Sequence, residues 1–151
     1  MLIFKIELEE FEEEELDMYS RGHITVQGDF GIISSKLLKR NQSMMIFISI
    51  CDLLNSVRVL LTSPLKKKYN FVGAGCSFQF FIVKKPSNKL ILTSVKNEVI
   101  DEVSELELVE EIWREVKLFM LKYGNLLSPE ETVNNDLTSS IEKFKKQFNL
   151  Q

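Results

Sequence analysis

A chain of 151 residues is sized for one domain, and a domain of that length buries roughly 70% of its unfolded surface. Its 44% hydrophobic and 27% charged residues are ordinary globular proportions, and the net charge of −3 argues against a strongly basic nucleic-acid binder. Two cysteines at unrelated spacing, Cys51 and Cys76, exclude a zinc motif and a disulfide framework and read as buried small hydrophobes in a reducing cytosol.

The small net charge conceals strong zoning. Residues 1–30 hold nine acids against Lys5 and Arg21, residues 31–100 hold eleven Lys/Arg against Asp52 and Glu98, and the remainder returns to eleven acids against six bases. Surface charge bears on partner choice and steering, not on fold, so this segregation is the compositional feature that speaks most to function. The start, MLIFKIELEE, lacks the basic lead, apolar core and small-residue cleavage site of a signal peptide, and the expected location is cytoplasmic.

Leu2–Leu8 alternates well enough for a first strand, with Phe4, Ile6 and Leu8 set against Lys5 and Glu7. It runs into the acidic segment Glu9–Asp17, where repulsion predicts an exposed loop or a splayed strand end. His23–Gln27 is a second strand, Gly28-Asp29 a turn, Phe30–Ser34 a third strand and Lys36–Gln42 a basic loop.

Ser43–Leu61 is the stretch around which the chain is organised. Met44–Ile50 suits a strand buried on both faces, passing straight into an amphipathic helix that carries Leu53, Val57 and Leu60 or Leu61. Ser49 and Asp52 have the spacing of a capping box, and Ser63-Pro64 ends the helix. A single helix over 44–61 is the rival reading. Asp52, Asn55 and Arg58 argue against a membrane span, since a charge at mid-bilayer costs roughly 2.5–3.5 kcal/mol on insertion scales.

Tyr69–Val72 and Cys76–Val83 read as strands on either side of a bend at Gly73-Ala74-Gly75. In the second, Phe78, Phe80 and Ile82 share one face while Phe81 and Val83 share the other, which predicts a central strand covered on both sides. Lys84–Lys89 is a hairpin connection to Leu90–Val95, and Glu98–Val103 adds a further strand. Ser104 caps a helix to Gly124 whose apolar stripe includes Leu106, Val109, Ile112 or Trp113, Val116, Phe119 and Tyr123. Ser128-Pro129 opens another helix, interrupted at Asn134-Asn135-Asp136, and Leu137, Ile141, Phe144 and Phe148 line a terminal one.

The expected fold is α+β: a mainly antiparallel sheet of six to seven strands with two main helices packed on it, residues 1–124, and a short C-terminal helical extension, residues 125–151, packed on the same domain. Leu53, Val57, Phe78, Phe80, Ile82, Val109, Ile112, Val116 and Phe119 should dominate its core.

Catalytic signals are weak. His23 is the lone histidine, so no Ser-His-Asp, Cys-His or multi-histidine metal site is expected to assemble within one chain, and a surface or cross-strand role is expected. Gly73-Ala74-Gly75 lacks the following helix and Lys-Ser/Thr of a phosphate loop. No catalytic residue, metal site or cofactor is implied. The lysines at 66–68 and 84–89 beside aromatics invite a nucleic-acid reading, placed second because no RNP-like motif is present and the Phe run looks buried. The leading candidate surface is acidic: Glu9, Glu10, Glu12, Glu13, Glu14, Glu15 and Asp17 can occupy a basic cleft on a partner protein or, at the least, deter sheet-to-sheet aggregation.

The phrases ISICDLLNSVRVLL, FQFFIVKK followed by KLILTS, and ELELVEEIWREVKLFMLKYG, in that order within residues 2–124, resemble small immunity-type proteins of bacterial polymorphic-toxin systems, particularly the wall-associated-toxin immunity group. The resemblance implies a non-enzymatic protein that neutralises a toxin by binding it, with no catalytic residues to carry over.

Overall fold

The computed structural model describes residues 1–9, 15–37 and 42–151. Among these, eight strands form two four-stranded antiparallel sheets rather than one sheet of six or seven, with three helices around them. The α+β class stands and the single sheet does not.

The first sheet contains β1 (Ile3–Leu8), β2 (Arg21–Gln27), β3 (Ile32–Ser34) and β4 (Met44–Met45), with both short strands pairing with β2. The second is a meander of β5 (Lys68–Val72), β6 (Gln79–Lys85), β7 (Lys89–Thr93) and β8 (Val99–Ser104). Their inner faces share one core, in which the ring of Phe4 meets Phe80 edge-on at 6.1 Å and Phe80 stacks on Phe71 at 4.9 Å. Where the sheets approach, the Phe30 N–H donates to the Ile100 carbonyl at 3.0 Å. A side chain at Gly28 would run into that same carbonyl and into Asp101, so only glycine fits there.

Helix α1 (Ile46–Thr62) corrects the expected strand over Met44–Ile50: only Met44 and Met45 are strand, and the apolar run belongs to the helix. Ile46, Phe47, Ile50, Leu53, Leu54, Val57 and Leu60 are all buried, a spacing of three and four that is helical throughout. The expected capping box is absent. Ser49 lies inside the helix, fully buried, where its hydroxyl accepts the Ala74 N–H at 3.0 Å. The helix start is satisfied by backbone instead, with Ile46 N–H donating to Ser20 O at 3.0 Å. Asp52 ties the helix to the second sheet, accepting from the Tyr69 hydroxyl at 2.7 Å and from Ser56.

Helix α2 (Glu105–Tyr123) is capped by Ser104, whose hydroxyl accepts the Glu107 N–H at 3.1 Å. Its Val109, Ile112, Val116 and Phe119 are buried as expected, whereas Leu106 is exposed. The helix also closes the free edge of β1. Glu115 accepts the Ile6 N–H at 3.1 Å, and Arg114, held by Glu111, reaches the Phe4 carbonyl at 3.4 Å.

Helix α3 (Thr132–Gln147) begins later than Ser128-Pro129, which forms a turn, and runs through Asn134–Asp136 without interruption. It lies along α1, whose Asn55 amide donates to the Ser140 hydroxyl of α3 at 3.0 Å, and its Phe144 stacks against Trp113 of α2. No helix among the described residues is long and apolar enough to cross a membrane.

Candidate functional site: two surfaces of opposite charge

The acidic segment leaves β1 at Glu9 and is fastened at both ends. The Glu9 N–H donates to Arg21 O at 3.0 Å, and on the far side Leu16, buried, donates to Leu126 O at 2.8 Å and bridges to Leu127. Glu9 leans back onto the fold, with its Oε2 3.4 Å from His23 Nε2. Glu15 is exposed. The Asp17 carboxylate accepts the Tyr19 N–H at 2.8 Å and so shapes a local turn. Glu10, Glu12, Glu13 and Glu14 lie outside the described residues, as does most of the expected basic loop that follows Lys36. Glu7, at the end of β1, pairs with Lys36 at 3.3 Å. Of the described acids in the run, Glu15 points to solvent while Glu9 and Asp17 serve the fold.

His23 is not a surface residue. It is buried, and its Nδ1 sits 2.8 Å from the Ser35 hydroxyl, which also accepts the Ile24 N–H at 3.1 Å. A neutral ring with Nδ1 accepting from the Ser35 hydroxyl and its proton on Nε2, turned towards Glu9, fits this placement. Burial holds the His23 pKa below 6.5, outweighing the opposing pull of Glu9. Serine, histidine and a carboxylate thus do line up around the lone histidine, contrary to the expectation from sequence. Yet Ser35 is wholly buried, and the hydroxyl has no path to an acyl group. The line acts as a tie between β2, the end of β1 and the turn after β3.

The second sheet carries the opposite charge. Residues 53–97 contain eight Lys/Arg and no acid. Register places Lys68, Asn70 and Val72 on its outer face, with Gln79, Phe81, Val83 and Lys85 beside them and Lys89, Ile91 and Thr93 next. The expectation of cover on both sides fails here. Phe78, Phe80 and Ile82 are buried, while Phe81, Val83 and Ile91 lie outside the core, and the Lys68 ammonium sits 4.2 Å over the Phe81 ring. At the hairpin end of this face, Lys67, Lys84, Lys85 and Lys89 line an open concavity of about 620 Å³; Lys84 within it donates to Ser63 O at 2.9 Å, at the end of α1.

Both cysteines are free and half-buried; burial pushes the Cys51 thiol up to about 11, which keeps it protonated and unreactive. Among the described residues, no three His, Cys, Asp or Glu side chains come together as a metal site. Set beside known protein families, curated proteins and solved structures, the chain matches none of them.

Proposed function

We propose that this chain is a non-enzymatic binding protein that captures a basic protein partner with its acidic N-terminal segment, in the manner of an immunity protein that neutralises a toxin. One observation carries the reading: seven acids fall within residues 9–17, and the run is anchored at both ends by backbone hydrogen bonds to β2 and to the segment after α2. Seven acids within nine residues concentrate negative charge, and such a field steers a cationic cleft towards it. Single exposed ion pairs are worth about 0–1 kcal/mol, so selectivity would come from several carboxylates of the run engaging at once.

The partner to test first is the product of the gene immediately upstream, where that gene encodes a large secreted protein. Co-expression should rescue growth of cells making its toxic portion inside the cell. A variant with Glu10, Glu12, Glu13 and Glu14 changed to Lys should lose rescue while melting like the parent protein. Rescue by that variant would remove the acidic segment from the account.

A further inference from the structure

We propose that the outer face of the β5–β8 sheet is a binding site for single-stranded nucleic acid, with phosphates on Lys68, Lys85 and Lys89 and a base stacked on Phe81. Four observations converge on it, none involving the acidic segment.

The first is the half-buried apolar strip of Phe81, Val83 and Ile91, which crosses the two central strands without joining the core. A core-facing alternation has no use for a phenylalanine here, because its neighbours Phe80 and Ile82 already fill the inside. Secondly, Lys68 lies over the ring at 4.2 Å. A π-face that attracts an ammonium is open to a base as well, and Lys68 need only swing aside to meet a phosphate.

Thirdly, Lys85 and Lys89 are directly opposed across β6 and β7, a like-charge pair that weakens the hairpin. Nothing in the packing requires them, and a phosphate between them would turn the repulsion into two contacts. Fourthly, lysine dominates the charge: residues 53–97 contain no acid, and the described acids beside this face include Glu102 of β8, opposite Ile91 and two strands from Phe81, and Glu105, which shares the hairpin-end concavity with Lys85 and Lys89.

Four strands span roughly 15 Å, enough for a short single strand laid across them, and Asn70, Gln79 and Thr93 around Phe81 supply donors and acceptors for base edges. A duplex cannot place an unstacked base on the ring, so the ligand is single-stranded. An acidic peptide would use the lysines but not the ring.

The test is fluorescence anisotropy with 5′-labelled twelve-nucleotide oligouridine RNA and the matching DNA, using the full chain at several salt concentrations. Binding should weaken as salt rises. Phe81→Ala should weaken it about 5- to 150-fold, the range for loss of one stacked base. Phe81→Leu, which keeps the aliphatic packing, should show the same loss with a melting temperature lowered by no more than about 2 °C, the share of the cation–π contact. Lys68, Lys85 and Lys89 changed together to Gln should flatten the salt slope by about 2. The proposal is overturned by any of four results: no anisotropy change up to about 100 µM protein, the weak end of ordinary non-specific binding; Phe81→Leu binding like the parent; equal affinity for the duplex; or equal competition by polyglutamate, which would point to an acidic protein.

Discussion

Phe80 and Phe81 are neighbours in sequence that face opposite sides of β6, and shortening each to alanine separates inside from outside. Phe80 is fully buried and its ring meets Phe4, Phe71 and Phe78 at 6.1, 4.9 and 6.2 Å. Removing it leaves a cavity between the sheets, and Phe80→Ala should cost about 3–5 kcal/mol. Phe81 is half-buried and touches Lys68. Half of a full burial value of roughly 1.5–3 kcal/mol, plus about 0.5 for an exposed cation–π contact, gives about 1–2 kcal/mol for Phe81→Ala. At roughly 2–4 °C per kcal/mol for a chain this long, the melting temperature should fall about 6–20 °C in the first variant and about 2–8 °C in the second. Circular dichroism melts with urea titrations measure both. Equal losses would mean that Phe81 is also core, and the open face would be refuted.

Other parts of the structure give sharp expectations. Because His23 binds its proton less readily folded than unfolded, its contribution to stability is present above the unfolded value of 6.5 and is lost as pH falls below it through the lower folded value; urea midpoints from pH 7.5 to 5 should drop more steeply in the parent than in His23→Gln, and parallel curves would contradict the buried neutral ring. Phe144→Ala removes the fully buried contact of α3 with Trp113 and should cost about 3–5 kcal/mol in one cooperative transition; a separate early melting step would show that residues 125–151 are not integral. Gly28→Ala forces β2 away from Ile100 and Asp101, and a melting temperature within a degree of the parent would show that the two sheets are not held so closely.

The sequence made the elements legible and their grouping much less so. Strands with clear alternation, such as β1 and β2, and the Ser104-capped α2 stand where periodicity puts them, and all nine expected core residues are buried. Met44–Ile50 misled because a run of β-branched and other apolar residues is compatible with a buried strand or a buried helix. What decided it was packing on several sides of α1, together with Ser49, whose hydroxyl finds a partner in Ala74 that only the tertiary fold supplies. Division into two sheets depends on pairing partners, which alternation within one strand does not encode. The same holds for the surfaces. The acidic run was plain in the composition, but the use of Glu9 by His23 depends on β1 and β2 lying side by side. Phe81 was assigned to the right face of its strand, and only the missing cover on that face makes it a candidate for binding.

If the concentrated acids of residues 9–17 do the recognising, the association rate with the upstream gene's product depends on them most directly. Stopped-flow or surface-plasmon measurements at low and high salt should show fast association in the parent protein that slows as salt rises. In the Glu10, Glu12, Glu13 and Glu14 to Lys variant, association should be at least about tenfold slower and nearly salt-independent. Identical rates in parent and variant would contradict the account.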